Sequence, residues 1–447
     1  MYTYTQLVYL GCYNLAAMHQ DTKKSYATSL ILIGCLFFIF GFITWLNGTL
    51  IPFLKTACQL NIRQVSLVTF AFFISYFVMA IPSSAILRKT GFKNGMSLGL
   101  IIMACGCVMF IPAALQRSYP LFLTGLFVQG LGLSILQTAS NPYVTIIGPI
   151  DSAAKRISMM GICNKAAGFL SPIVIGSILL SNLDTLDKSI KSTTDLAAKE
   201  AMLTELSGRI INPYIVLTIV LLLVAVMIRF SSLPNIRDEE NDADKAIGVS
   251  DQRPLSSYTY LFLGAFAIFT YVGVEVLAGD YIINYGTYLH VPIEYAKYLT
   301  SLTLAFMVAG YFAGVFLTPR ILSQEALLRI MIIISLVLIM GVLFTTGKTS
   351  ILMLALLGFT HATMWPAIWP MSIKGLGRHT KTGSALLIMG ISGGAIVPYI
   401  YGNLGVLYHG NLQLAFWIMI PCYLYMLMFA TVGHRLGYKE PVKDSMA

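Results

Sequence analysis

Charged residues are scarce in this chain of 447 residues. They make up 11% of the sequence, whereas a soluble globular domain carries roughly 25%. Hydrophobic residues make up 57%. Apolar runs of about 20 residues, each long enough to cross the ~30 Å hydrocarbon core of a bilayer, recur from one end of the chain to the other. The scarcity of charge therefore excludes an ordinary soluble protein and predicts a multi-pass protein that is surrounded by membrane lipid.

The sequence also lacks the signatures of several other protein classes. Its seven cysteines form no CxxC pair and no metal-ligand spacing, so we interpret them as small buried side chains. No complete P-loop is present, and a transporter without a nucleotide-binding segment must draw on an ion gradient. The net charge of +10 does not indicate nucleic-acid binding, because basic residues in membrane proteins mostly set orientation. We predict no enzyme activity, no cofactor and no nucleic-acid partner.

Twelve apolar spans are predicted along the chain. They cover residues 27–54, 64–87, 94–115, 119–147, 158–180, 210–230, 257–284, 295–318, 328–347, 349–372, 383–407 and 411–434. With both termini in the cytoplasm, nineteen of the 29 Lys and Arg residues lie on the cytoplasmic side and nine on the outer side. Because basic loops tend to remain cytoplasmic, this bias predicts that the N-terminus and the C-terminus both face the cytoplasm.

The expected fold class is an all-α membrane protein with twelve transmembrane helices in two six-helix bundles. We predict an N-terminal tail at 1–26, bundles at 27–230 and 257–434, a cytoplasmic linker at 231–256 and a C-terminal tail at 435–447. The linker is polar and acidic, and the fifth span of each half shares an MGI…P…G pattern, as a parallel repeat would require. Residues 1–17 contain no Lys or Arg and make a poor signal peptide, so we suspect that translation begins at Met18.

Away from the ends of the predicted spans, three charged residues lie inside them: Glu275, Asp280 and Lys165. A charge at mid-bilayer costs roughly 2.5–3.5 kcal/mol and normally faces a cavity or a partner. On a continuous helix Glu275 and Asp280 stand ~140° apart, so we expect only one of them to face a central cavity, and Glu275 lies nearer the middle. The alternative for either acid is a structural pair or a place near the outer interface. Lys165 is expected to pair with one of these acids, or else to extend its long stem to the cytoplasmic interface.

Uncharged polar and aromatic side chains also recur inside the spans. The carboxamides are Asn47, Gln137, Asn141 and Asn164. Each donates and accepts hydrogen bonds, so together they suit a ligand with many hydroxyl groups; the alternative for each is an interhelical hydrogen bond. Trp365 can stack on the apolar face of such a ligand. These four carboxamides, Glu275 and Trp365 are therefore the predicted binding residues for a small sugar.

Four segments carry a resemblance to a known family. They are FFIFGFITWLNGTLIPFLK, SILQTASNPYVTIIGP, YVGVEV and PAIWPMSIKGLGRHTKTGSALLIMGISGGAIVP. They resemble the fucose/glucose-galactose permease branch of the major facilitator superfamily, the fucose:proton symporter family, and the similarity extends over nearly all of residues 27–434. The resemblance implies two six-helix bundles, a central sugar site and alternating access driven by ion symport.

The resemblance also implies where the coupling groups of this chain differ. The fucose–proton symporters carry an Asp where this chain has Gly48 and a Glu where it has Gln137, and this Gln is more similar to the glucose/galactose permeases. With both positions neutral, Glu275 becomes the leading candidate for ion coupling and Asp280 the second. If Lys165 neutralises Glu275 permanently, Asp280 or a passive uniporter becomes the better explanation.

The expected function is import of a neutral monosaccharide by symport with H⁺ or Na⁺ across a bacterial inner membrane, carried out by a monomer. Glucose or galactose is expected first, and an N-acetylhexosamine or fucose is the alternative substrate. A sugar uniporter and a drug–proton antiporter are alternatives within the transporters. A membrane nutrient sensor that does not transport is the alternative from another class, but the linker and the C-terminal tail are short for a signalling domain.

Overall fold

All regular secondary structure in the described residues is helical. The structure is a computed structural model that describes residues 28–146, 153–231, 254–318, 320–376 and 379–438. In that part of the chain, eleven helices are long and apolar enough to cross a membrane. One of them, Ile62–Leu115, contains Gly91 with φ 75° and ψ 167°, a positive φ that glycine adopts without strain. This kink divides the helix into two spans, so the predicted twelve-helix fold is confirmed.

We number the spans α1 to α12 in chain order. In the first half, α1 comprises 28–44 and Asn47–Ala57, α2 and α3 are the parts of Ile62–Leu115 before and after Gly91, α4 is Tyr119–Ile146, α5 is Ala153–Leu179 and α6 is Ile211–Phe230. In the second half, α7 comprises Thr259–Gly279 and Ile282–Tyr288, α8 is Leu299–Leu317, α9 is Gln324–Phe344, α10 comprises Gly347–His361 and Met364–Ile373, α11 comprises Thr380–Met389, Gly390–Ser392 and Gly393–Leu407, and α12 comprises Leu412–Ala415, Phe416–Ile418 and Met419–Thr431.

Two helices between α5 and α6 were not expected from the sequence. They are Leu183–Ser192 and Leu196–Gly208. The first is polar and amphipathic, and it carries an ion pair between Lys191 and Asp187 at 2.5 Å, four residues apart. Such i,i+4 pairs support surface helices, but a search for long apolar runs does not detect them.

In the described residues, turn residues interrupt three spans within their length: α1 at Trp45, α7 at Asp280 and α10 at Ala362. A break leaves backbone carbonyls without their helical partners, which is costly inside a membrane. In α7 the neighbouring helix supplies replacements, because the hydroxyl of Thr300 donates to the Gly279 carbonyl at 2.6 Å and that of Thr303 to the Ala278 carbonyl at 3.2 Å. The threonines of α8 thus stabilise the interruption of α7.

Hydrogen bonds join the two halves at one end of the bundle. There the hydroxyl of Ser301 in α8 donates to the Phe169 carbonyl in α5 at 2.8 Å. The backbone N–H of Ile293 donates to the Asp184 carboxylate at 2.7 Å. We call this the contact end, and the opposite end, at which α4, α8 and α10 end, the open end.

The predicted tails and linker fall largely outside the described residues. This applies to 1–26, with the suspected start at Met18, to most of 231–256, and to most of 435–447. Their boundaries stay predictions.

Candidate substrate and ion site

A cavity of about 1110 Å³ lies between the two halves. Its lining includes Trp45 and Asp280 at the base, and Val144, Ile157, Arg320 and Gln324 towards the open end. Arg320 is exposed in the α8–α9 connection, so the cavity extends from the interior of the bundle to the surface at that end. The volume is in the range of small-molecule binding sites, which are commonly about 300–1,000 Å³.

The base of the cavity contains a buried ion pair that links the halves. The ammonium of Lys165 in α5 lies 2.9 Å from Oε1 of Glu275 in α7. The hydroxyl of Tyr271 donates to the same oxygen at 2.6 Å. Lys165 is 7% exposed and Glu275 9%, so each charge depends on the other for compensation. The structure therefore forms one of the two expected lysine pairs, and the stem of Lys165 does not reach the interface.

Trp45 forms the floor of the cavity beneath this pair. The Lys165 ammonium lies 4.4 Å from the Trp45 ring centroid, a cation–π geometry. The ring packs against Gly168 of α5 and Gly279 of α7 so closely that a side chain at either glycine would overlap it. Sequence reasoning did not select this residue, although Trp45 is the one tryptophan in the first half of the chain and lies in the quoted TWLNG segment.

Three of the four predicted carboxamides line the cavity: Gln137, Asn141 and Asn164. All three are half-buried. Trp365 lines the opposite wall and stacks on Trp369, with ring centroids 5.3 Å apart and an interplanar angle of 23°. The arrangement presents amide donors and acceptors from the first half to an aromatic wall from the second half.

Asn47 is the predicted binding residue that the structure keeps apart from the others. It does not occur among the described residues that line the cavity, and it is 1% exposed. The interruption of α1 at Trp45 places Asn47 at the start of the helix Asn47–Ala57. A role for Asn47 in substrate binding stays a prediction.

The expectation that only one acid of α7 faces the cavity was wrong. Both Glu275 and Asp280 line it. The angle of ~140° holds for a continuous helix, but the helix ends at Gly279 and the next begins at Ile282. The interruption changes the direction of the backbone at Asp280, so this residue also lies at the cavity base, where it is 1% exposed.

Comparisons with known proteins agree with this architecture. The chain matches the Major Facilitator Superfamily over residues 33–398. It is 33% identical over 427 residues to a glucose/galactose transporter of Brucella abortus biovar 1 (strain 9-941), a match that covers 94% of this chain and 97% of that protein. It is 31% identical over 418 residues to an L-fucose-proton symporter of Escherichia coli (strain K12), which covers 91% of this chain and 93% of the symporter.

Solved structures of transporters are also similar to this chain in fold. Two crystal structures of FucP, one described as the E. coli fucose:proton symporter and the other as an outward conformation, match with TM-scores of 0.71 and 0.70. Both are 28% identical to this chain, and each match covers 93% of this chain and 100% of the solved chain.

Proposed function

Because this chain belongs to the Major Facilitator Superfamily, we propose that it imports a neutral monosaccharide, with glucose or galactose as the first candidate, by symport with H⁺ or Na⁺. Membership of this family makes it a multi-pass membrane transporter rather than an enzyme. The observation that carries the sugar assignment is the cavity, whose lining combines carboxamides, stacked tryptophans and a buried ion pair.

Both the hydroxyl groups and the apolar face of a sugar match groups that line this cavity. Its hydroxyl groups need partners that both donate and accept, and Gln137, Asn141 and Asn164 supply them. Its C–H face is apolar and packs on an aromatic ring such as Trp365. The relatives named as glucose/galactose transporters and fucose symporters support a monosaccharide, and fucose or an N-acetylhexosamine remains the alternative substrate.

The arrangement of the halves supports alternating access. Hydrogen bonds join them at one end and the cavity opens at the other, which is the geometry of one access state of a rocking transporter. The predicted orientation places the open end in the cytoplasm, so this state would release sugar into the cell. The bacterial relatives support a place in the bacterial inner membrane.

Counterflow in proteoliposomes tests the sugar assignment. Labelled glucose and galactose should exchange with internal sugar, and unlabelled fucose, N-acetylglucosamine and a hydroxyl-poor aromatic cation should be compared as competitors. Competition by the aromatic cation alone would favour a drug antiporter and end the sugar proposal. Exchange without accumulation under either a Na⁺ or a pH gradient would indicate a uniporter.

Two tryptophan variants sharpen this test. Trp365→Ala removes the ring from the cavity wall and should weaken sugar binding by about 1 kcal/mol, seen as a several-fold higher half-saturation concentration. Trp417→Ala is the matched control, because Trp417 is 42% exposed on α12 and does not line the cavity. If the two substitutions have equal effects on the half-saturation concentration, Trp365 does not contribute to sugar binding.

A further inference from the structure

Asp280 is a buried acid whose charge the structure leaves uncompensated. Of the acidic residues described, only Glu275 and Asp280 are buried, and Asp280 is 1% exposed. Its Oδ1 atom accepts no hydrogen bond from any described group. A buried carboxylate without a cationic partner of its own is costly, and it becomes stable by taking up a proton or a cation.

The groups around Asp280 do not remove this imbalance. Glu275 and Lys165 face it across the cavity base and Tyr281 follows it in the chain, but the first two form an ion pair with each other. The neighbouring helices α1 and α8 approach it with Gly48 and Thr300, neither of which is titratable. Because the charges of Lys165 and Glu275 neutralise each other, neither residue is left to neutralise the carboxylate of Asp280.

Asp280 also lies where the two halves meet. The backbone N–H of Gly48 in α1 faces its carboxyl group, and a Cβ atom on residue 48 would lie only 3.2 Å from Oδ1. Close to it, the hydroxyl of Tyr281 lies 3.1 Å from that of Thr69 in α2. The first half therefore covers Asp280 on the side of the contact end, and on the other side Asp280 is one of the residues that line the cavity.

We propose that Asp280 carries the coupling proton of this transporter, with Gly48 of the opposite half as the cover that separates the carboxyl group from the contact end. When the halves part at the contact end, the carboxylate takes up one proton there. When they close, as in this structure, Gly48 returns, and the proton leaves into the cavity that opens at the other end. This inference rests on the proposed symport function and names its ion and its carrier.

A proton suits this place better than Na⁺. An interrupted transmembrane helix binds Na⁺ through the carbonyl oxygens that the break sets free. Here those of Ala278 and Gly279 already accept hydroxyl hydrogen bonds from Thr303 and Thr300. A carboxyl group needs no further ligand to hold a proton.

Transport by an Asp280→Asn variant tests the carrier. The wild type should accumulate sugar when a pH gradient is imposed, with one proton entering per sugar. The variant should lose this accumulation at least tenfold while counterflow continues. Glu294→Gln is the matched control, because Glu294 is an exposed acid at the contact end, and it should accumulate sugar like the wild type.

The outcomes separate this inference from the function on which it rests. Accumulation driven by pH in both the wild type and Asp280→Asn would overturn the carrier and leave symport intact. Accumulation driven by a Na⁺ gradient alone would show that the coupling ion is not H⁺. Counterflow without accumulation in the wild type would end the symport proposal itself.

Chemical labelling of the unaltered protein gives a test that does not depend on a variant folding. Dicyclohexylcarbodiimide takes the proton of a buried carboxylic acid onto its nitrogen while the carboxyl oxygen bonds to its central carbon, and rearrangement leaves a stable N-acylurea. Peptide mass spectrometry should find this adduct on Asp280, and labelling should fall as the pH rises. An adduct on Glu275 instead, or none on Asp280 at low pH, would overturn the assignment.

Discussion

The two parts of α7, before and after its interruption, hold their acids in opposite ways. Before the break, Glu275 lies on a regular helix and receives both the Lys165 ammonium at 2.9 Å and the Tyr271 hydroxyl at 2.6 Å. At the break, Asp280 is more deeply buried, at 1% exposure against 9%, yet its Oδ1 atom has no hydrogen-bond partner among the described groups. Burial alone therefore does not say what an intramembrane acid does.

The difference separates an acid that holds the structure from an acid that can change its charge. A compensated carboxylate is stable as an anion, and losing it leaves the buried lysine without a partner. An uncompensated buried carboxyl group is stable when neutral. Its charge can then follow the side of the membrane to which it is open, which symport requires of its ion carrier. The following predictions test this division.

Glu275→Gln should have the largest effect. The substitution leaves Lys165 charged in a site where it is 7% exposed, and removing one partner of a buried pair costs about 3–5 kcal/mol. Thermal unfolding of the purified protein in detergent should show a large drop in its midpoint.

The double variant Lys165→Met with Glu275→Gln is the control for this loss. It removes both charges and keeps the volumes similar, and a buried pair replaced in this way is often nearly neutral for stability. Most of the lost stability should return. If the double variant is as unstable as Glu275→Gln, the cost does not come from an unpaired lysine.

Gly48→Ala should have an intermediate effect, on the balance between access states. In this conformation its Cβ would lie 3.0 Å from Thr300 Oγ1 and 3.2 Å from Asp280 Oδ1, and such overpacking typically costs about 1–3 kcal/mol. The population should shift towards the state in which the contact end is parted. Distances between spin labels on Lys188→Cys and Glu294→Cys, in a background without native cysteines, should then lengthen.

Gly208→Ala is the matched glycine control, because a Cβ there would meet nothing within 4 Å. Its label distances should equal those of the parent protein. If Gly48→Ala gives the same distances as this control, the fit of residue 48 against Asp280 does not determine the access state.

Most of the fold could be predicted from the sequence, because each span must be apolar over about 20 residues. The lysine pair was also within reach, since only two acids inside the spans could compensate Lys165. What could not be predicted is the interruption of α7 at Asp280. No proline marks it, and its freed carbonyls are satisfied by threonines of another helix. A break that depends on tertiary hydrogen bonds leaves no local signal in the sequence.

The candidate site shows the same limit. Gln137, Asn141 and Asn164 could be selected because polar residues in lipid need partners. Trp45 was not selected although it lines the cavity, whereas Asn47 was selected and does not occur among the described lining residues. Helical periodicity cannot resolve this, because α1 turns between the two residues.

Asp280→Asn should have the smallest effect on stability, although it stops accumulation. A carboxamide has nearly the shape of a protonated carboxyl group and is also neutral, so the backbone N–H of Gly48 can still donate to its oxygen. The unfolding midpoint at neutral pH should correspond to a change within about 1 kcal/mol, or rise, because removing an uncompensated buried charge relieves its desolvation cost. The measurement is the same thermal scan as for Glu275→Gln. A loss as large as in that variant would mean that the Asp280 charge holds the structure, and the two parts of α7 would not differ in role.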